Sequence, residues 1–275
     1  MPELPEVETL KRELARVLVG KKIRKIEGDF KLKPAGREIV GLERRAKILI
    51  FKLDSGYLLV HLKMTGQLVF QGRPLAGSKG RPLVVGGHPE DPNKYTRAVI
   101  YFTDGTKLLF NDLRKFGWLK MVAEKDLPKH IAHLGPEPLG KDFTLEKFKE
   151  ILAHYPKRKI KQLLLDQTLI AGLGNIYVDE SCFLAKTLPT RIVSSLTASE
   201  IKKLHQGIIK VLKLSISKKG TSTRNYVRSN GEKGAFVSHL NVYGRDKEQC
   251  KRCGEKISKI KLNGRGTHFC PRCQK

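Results

Sequence analysis

Apolar positions change period twice along the chain. From Pro5 onward, Val7, Leu10, Leu14, Val17 and Leu18 fall at helical spacing, and Gly20 follows as a stop. Pro5 suits the first turn of that helix, where a missing N–H costs nothing. From about residue 22 to 122 the texture is that of short strands. KILIFKL, YLLVHLKM, RAVIYFTDG and KLLFNDL are rich in β-branched and aromatic residues, and Asp-Ser-Gly or Asp-Gly turns divide them. This predicts an all-β region, a sandwich or flattened barrel. Residues 71–92 are rich in Gly and Pro and predict a long exposed loop. After a linker around Leu134-Gly135-Pro136-Glu137-Pro138, helical spacing returns over 144–154, 157–169, 175–186 and 197–217. A basic, Gly-containing stretch from Lys218 to Gly234 leads into a last β-rich module. The plan is an α+β multidomain chain: an N-terminal β-sandwich with its helix over 1–125, a hinge over 126–143, a helical domain over 144–234, and a small module over 235–275.

Charge narrows the partner. The chain of 275 residues carries 54 Lys plus Arg against 27 Asp plus Glu, a formal charge of +27. A balance this lopsided repels itself when compact and attracts polyanions, as nucleic-acid binders do. Hydrophobic residues at 40% still suffice for real cores. No run of about 18 apolar residues predicts a membrane span. The start, MPELPEVETL, is acidic and lacks the features of a signal peptide. Cys182 stands alone and the other four cysteines fall within the last 26 residues. That placement fits a cytoplasmic chain with one metal site and one spare buried thiol.

Cys250-Lys-Arg-Cys253 and Cys270-Pro-Arg-Cys273 are separated by sixteen residues. Two such knuckles can supply four thiolates in a tetrahedron, which suits one structural Zn²⁺. The intervening KISKIKL and HFC stretches alternate as a β-hairpin does. Residues 245–275 carry ten Lys/Arg against three Asp/Glu, so this ribbon is expected to grip phosphates. His268 is an alternative ligand, but four cysteines already close the site, which leaves it a packing or hydrogen-bonding role.

KQLLLDQTLIAGLGNIYVDESCFLAK reads as a helix, a turn at Gly172 and Gly174, and a second helix opening at Asn175, which is well placed as its N-cap. Helix N-termini can hold a phosphate. Alone, the segment fits a plain αα-hairpin equally well. The run Lys157-Arg158-Lys159-Ile160-Lys161 tilts it toward nucleic acid, with Tyr177 and Glu180 as buried supports of the turn.

Met1-Pro2-Glu3-Leu4-Pro5-Glu6 becomes chemically interesting if the methionine is removed. Pro2 would then carry a free secondary amine, titrating near pH 8 and partly neutral at neutrality. Such an amine attacking a sugar C1′ gives an iminium that acts as an electron sink. By itself the stretch is an ordinary chain start.

Three motifs together change that. PELPEVET at the start, the turn from Leu169 to Ser181, and the terminal GRGTHFCPRCQ are similar, in order and position, to the formamidopyrimidine-DNA glycosylase family, over nearly the whole chain. The resemblance implies a β-sandwich with an N-terminal helix, a helix-two-turn-helix domain and a zinc-finger β-hairpin, with damaged double-stranded DNA crossing between the domains. It implies a monomeric bacterial base-excision-repair enzyme, cytoplasmic and nucleoid-associated, that excises 8-oxoguanine and formamidopyrimidines and nicks the strand by β,δ-elimination. Pro2 resembles the Schiff-base nucleophile and Glu3 the acid that protonates the deoxyribose. Lys47, in RRAKILIF, resembles the lysine of the β-elimination side. Arg265, in Gly264-Arg265-Gly266-Thr267, resembles the arginine on the lesion phosphate, assigned to δ-elimination. Asn175 and Lys157 resemble phosphate contacts. Met64 in HLKMTG, with Arg114 and Phe116 in DLRKFG, resembles the wedge that fills the gap left by a flipped nucleotide. For Met64 and Phe116 the residues alone equally fit strand packing, and for Lys47 a solvated strand position. The basic 218–233 segment fits either a cover over the flipped base or a linker.

The chain departs from the family pattern in places. The family's His-x-His after the long loop is here Tyr95-Thr96-Arg97, which leaves Tyr95, Arg97 or Lys94 to meet DNA. The segment before Lys47 is short and 71–92 is extended. A retained Met1 would make Pro2 an amide and remove its nucleophilicity. The rival functions are an endonuclease VIII-like glycosylase for oxidised pyrimidines, disfavoured by PELPE in place of a PEGPE-type start, and a catalytically silent nucleic-acid binder. A ribosome-associated zinc ribbon accounts for charge and zinc but not for the N-terminus.

Overall fold

The computed structural model describes every residue except 31, 73–82, 85–91, 223–225 and 230–231. The chain forms two compact units: Met1–Ala132 with Lys218–Val237, and His133–Ser217 with Ser238–Lys275.

In the first unit the opening helix is α1 (Leu4–Leu18), followed by strands β1 (Ile23–Gly28), β2 (Ile39–Arg45), β3 (Ile48–Leu53), β4 (Tyr57–His61), β5 (Gly66–Gly72), β6 (Leu83–Val84), β7 (Thr96–Phe102), β8 (Lys107–Asp112) and β9 (Trp118–Val122). They pair in two sheets, ordered β1-β7-β8-β5-β6 and β2-β3-β4-β9, with antiparallel neighbours. α1 buries Val7, Leu10, Leu14 and Leu18, one stripe at helical spacing, in a core shared with both sheets. Leu49, Phe51 and Leu53 reach that core from β3, alternating as strand geometry requires, and Leu68, Phe70, Phe102 and Phe110 reach it from the other sheet. The four strand segments picked from the sequence are β3, β4, β7 and β8. β1 escapes because only Ile23 of its six residues is buried, so it carries almost no apolar pattern. Within the predicted 71–92 loop, Gln71 and Gly72 pair with Val84 and Leu83; residues 73–82 and 85–91 fall outside the described residues. A short helix, α2 (Leu127–Ile131), closes this part of the chain.

Residues 218–237 pack with this first unit, although sequence continuity groups them with the helices. The cause lies on α1. Glu6 Oε1 accepts from the Thr221 amide at 2.8 Å, and Glu13 accepts from the Ser229 amide at 2.8 Å and Arg228 Nε at 2.9 Å. Tyr226 is buried within the sandwich core.

The second unit holds α3 (Leu145–Ala153), α4 (Ile160–Leu164), α5 (Asn175–Leu184), α6 (Ala198–Ser217) and the hairpin β10 (Ser258–Leu262) and β11 (Arg265–Phe269). The helix predicted over 157–169 shrinks to α4. Asp166 Oδ1 accepts from both the Thr168 amide and hydroxyl, a local turn that competes with helix. Gly135, expected in a linker, is packed against the backbone of Thr168 and Leu169, and a Cβ there would meet Leu169 at 2.5 Å. Tyr177 is fully buried and its hydroxyl lies 2.6 Å from Ser215 Oγ.

Candidate functional site

In the first unit, Pro2 and Glu3 are buried immediately before α1. Glu3 and Glu6 form a capping box, with the Glu3 amide donating to Glu6 Oε2 at 2.8 Å. Lys47 is also buried, at 7% exposure, after a turn in which Ala46 takes a φ of 52°. That turn is tied to the helix: Arg44 Nη1 donates to the Ala46 carbonyl at 2.8 Å, and Arg44 Nε meets Glu8 Oε2 at 2.9 Å. Burial pushes the Glu8 carboxyl up, but hydrogen bonds from Lys11, Arg44 and Arg12 outweigh it and hold it below the usual range. One side-chain relay thus joins the first turns of α1 to the residue before Lys47.

Met64, Tyr95, Arg114 and Phe116 all project from turns at the ends of strands in this unit and are exposed. The Arg114 guanidinium lies 4.8 Å from the Phe116 ring centre. Large apolar side chains left in water at three turns do not fit strand packing. Lys63 and Lys115 flank them with φ of 48° and 59°. His61 Nδ1 accepts from the Lys63 amide at 2.9 Å, and burial together with the positive Lys63 and Lys47 lowers the imidazole to about 3, so it is neutral. Lys94 lies over the Tyr95 ring, whereas Arg97 is ion-paired with Asp29.

In the second unit the four Sγ atoms of Cys250, Cys253, Cys270 and Cys273 lie within 4.8 Å of one another. Cys250 and Cys273 are 3.9 Å apart and Cys253 and Cys270 are 3.5 Å apart. A tetrahedral Zn²⁺ with bonds of about 2.3 Å needs sulfurs about 3.8 Å apart, so the set fits the ion. Amides of Arg252 and Cys273 point at Cys250 and Cys270 Sγ at 3.4 Å, which favours thiolates. Cys182 is buried elsewhere, and burial pushes its thiol up, as befits a packing residue.

The zinc module's hairpin turns on Asn263 and Gly264, both at positive φ, the signature of a type I′ turn. It presents Arg265 exposed at the start of β11. The next carbonyl, Gly266 O, accepts from Lys161 Nζ at 3.0 Å and Asn175 Nδ2 at 2.9 Å. Asn175 is the first residue of α5 rather than its cap, which is Gly174; one donor of its side-chain amide goes to the hairpin. Lys157 is exposed on the segment before α4. His268 is no ligand: its amide donates to Asp179 Oδ2 at 2.9 Å, and its Nδ1 lies 3.2 Å from the same oxygen. Glu180 supports the segment leading to the zinc module, accepting the Val242 and Tyr243 amides at 2.8 and 2.9 Å. Burial pushes its carboxyl up, and those donors only partly offset it.

Three family models cover most of the chain. They are the formamidopyrimidine-DNA glycosylase N-terminal domain over 1–119, the H2TH domain of that family over 134–227, and a zinc finger found in FPG and IleRS over 247–275. The formamidopyrimidine-DNA glycosylase of Geobacillus kaustophilus is 42% identical, with all of both chains covered. The chain belongs to the formamidopyrimidine-DNA glycosylase family. Its Streptococcus mutans relative is 41% identical over the full length of both. A Lactococcus lactis enzyme of the family, solved with a Fapy-dG-containing DNA, is 38% identical with a TM-score of 0.87 and full coverage of both chains. The Thermus thermophilus member is 35% identical with a TM-score of 0.86, covering 99% of this chain and 98% of that one.

Family membership accounts for the N-terminal motif, the α5 turn and the cysteines. It leaves unexplained the groups that fix the site's elements, which sequence reasoning missed: Glu8, Arg44, His61, Thr65, Asp112 and Asp179. Gln167 is another, pinning the turn before α5 by accepting the Gly172 amide at 3.0 Å and donating to the Leu173 carbonyl at 2.9 Å. Lys161, expected with its basic neighbours to serve nucleic acid, is instead buried and paired with Asp179.

Proposed function

We infer that the chain is a bifunctional DNA glycosylase and abasic-site lyase of base-excision repair, acting as a monomer in the bacterial cytoplasm. It removes oxidised purines such as 8-oxoguanine and formamidopyrimidines from duplex DNA and then nicks by β,δ-elimination. The observation that carries this is the N-terminal arrangement: Pro2 and Glu3 stand buried before α1, and a relay from Glu8 through Arg44 ties that helix to the turn bearing Lys47.

The chemistry begins when Met1 is removed and Pro2 gains a secondary amine. Its lone pair forms a bond to C1′ as the glycosidic C–N bond breaks, and the base departs with the proton that the amine gives up. Glu3 supplies the proton that lets the sugar ring open, leaving an iminium between Pro2 and C1′. That cation accepts the electrons released when a C2′ proton is removed, and the 3′ phosphate leaves; a second elimination expels the 5′ phosphate. Lys47 serves the first elimination and Arg265 the second. Met64, Arg114 and Phe116 fill the space of the extruded nucleotide, while Tyr95, Lys157 and Asn175 hold the backbone. Zinc, held by the four cysteines, supplies only the fixed shape of the hairpin carrying Arg265.

The test uses a duplex with 8-oxoguanine opposite cytosine and borohydride in the reaction. A covalent adduct on Pro2 of the processed chain is expected. Processed protein that neither cleaves nor crosslinks would overturn the assignment.

A further inference from the structure

We propose that Asp112 is the positioning residue that sets the three exposed turns of the first unit as one rigid surface for opening the duplex. The inference rests on the wedge role given above to Met64, Arg114 and Phe116, and it extends that role to a group that never meets DNA.

Asp112 ends β8 and is 1% exposed. A buried carboxylate is costly unless its lone pairs are met. Here they are met by donors drawn from two turns. Oδ1 accepts from the Thr65 hydroxyl, next to Met64, and from the Arg114 amide at 3.2 Å. Oδ2 accepts from the Gly117 amide at 2.6 Å, next to Phe116. Thr65 Oγ1 in turn accepts from the Arg114 amide at 3.0 Å, so one hydroxyl bridges the two turns directly. The backbone of Asp112 serves the third turn, its amide donating to the Tyr95 carbonyl at 2.9 Å. Every one of these donors is uncharged, so the carboxylate is spent on backbone placement rather than on an ion pair.

The placement is tightly specified. Gly117 has no room for a Cβ, which would meet the Phe110 ring at 2.5 Å and Asp112 Oδ2 at 3.1 Å. Lys63 and Lys115 are held in left-handed conformations that L-residues with side chains seldom adopt. Such conformations persist where the surroundings over-determine them. What the three turns display is Met64, Tyr95 and Phe116, between 39% and 53% exposed and outside the buried core. Driving a stacked nucleotide out of a helix costs several kcal/mol, and a wedge that yields cannot supply it. Asp112 supplies the stiffness through hydrogen bonds to the turns' backbones.

Two isosteric variants test this. Asp112→Asn replaces one acceptor oxygen by an NH₂ that faces an amide donor. Thr65→Val deletes the bridging hydroxyl at the same volume. Each is compared with wild type, under single turnover, on a duplex with 8-oxoguanine opposite cytosine and on the same duplex with a preformed abasic site, where less stacking opposes extrusion. Excision of 8-oxoguanine should fall at least about tenfold, while nicking at the abasic site falls less than about threefold. A general loss of structure lowers both equally, and that result overturns the proposal, as does unchanged excision in both variants. Wild-type protein inert on both duplexes overturns the function itself, a separate outcome.

Discussion

Lys161 Nζ lies 2.6 Å from Asp179 Oδ1, and both side chains are essentially sealed from solvent, at 1% and 0% exposure. The pair joins α4 to α5, and both partners reach on to β11, Lys161 through the Gly266 carbonyl and Asp179 through the His268 amide. A buried ion pair is a clamp whose halves are worth little apart. Removing one leaves an uncompensated charge and costs about 3–5 kcal/mol, whereas replacing both with apolar groups of similar volume is close to neutral. Asp179→Ala should therefore lower stability by that amount in urea denaturation of the zinc-loaded protein, and Lys161→Met with Asp179→Leu should recover part of it, the His268 amide losing its acceptor in both. A single variant as stable as wild type would refute the clamp.

Pro2→Gly keeps a terminal amine but makes it primary and unconstrained. Borohydride trapping should drop at least about a hundredfold while affinity for an abasic-site analogue stays within about threefold. Mass analysis of the amino terminus must first show the methionine gone; equal trapping by the variant would remove Pro2 from the nucleophile's role.

Arg265 is exposed and ligates no metal, so Arg265→Ala should leave the melting curve and zinc content unchanged. Its loss should appear in the salt dependence of binding. If about six phosphates are neutralised, log affinity falls against log salt with a slope of about −5, and the variant's slope should be shallower by about 1. A parallel line with the same slope would mean that Arg265 touches no phosphate.

Stripping the metal should disorganise the 250–273 module and with it the support of Arg265. One equivalent of zinc per chain is expected by metal analysis. Chelation should lower DNA affinity at least about tenfold, with recovery on adding zinc back. Cys253→Ala should mimic chelation, and a zinc-free protein that binds DNA normally would contradict the assignment.

His61 gives the pH dependence a sign. Its imidazole is lowered to about 3 in the folded protein, against 6.5 unperturbed, so the unfolded chain binds the proton more readily. The stability tied to its neutral form is complete above pH 6.5 and is lost as pH falls toward 3. Between pH 6.5 and 5 the loss is about 2 kcal/mol. His61→Asn keeps an acceptor for the Lys63 amide but does not titrate, so urea denaturation across that interval should show a loss smaller by about that amount. Equal pH profiles would place the His61 proton in water.

What the sequence disclosed and what it withheld divide along physical lines. The cysteine knuckles, the hairpin between them and the N-terminal helix are encoded within a few residues, so spacing and alternation expose them. Residues 218–237 escape such reading because their basic composition resembles a linker, while their partners Glu6 and Glu13 lie more than two hundred residues earlier. Thr65 and Asp112 are 47 positions apart, and Asp179 and His268 are 89 apart. Short-range pattern carries no record of such pairings. The candidate site is thus legible in the groups proposed to face DNA and, apart from Tyr177 and Glu180, silent about the groups that hold them in place.

The return of residues 218–237 to the first unit has a further consequence. The chain passes between units three times, so neither unit is a contiguous length of polypeptide. A fragment ending at residue 132 would lack Tyr226 from its own core and leave Glu6 and Glu13 without Thr221, Arg228 and Ser229. The two halves were stitched rather than strung. A break after residue 217 would divide both units, and one after 132 or 237 would divide one of them, so no single junction yields two whole units and the molecule is poor material for modular recombination.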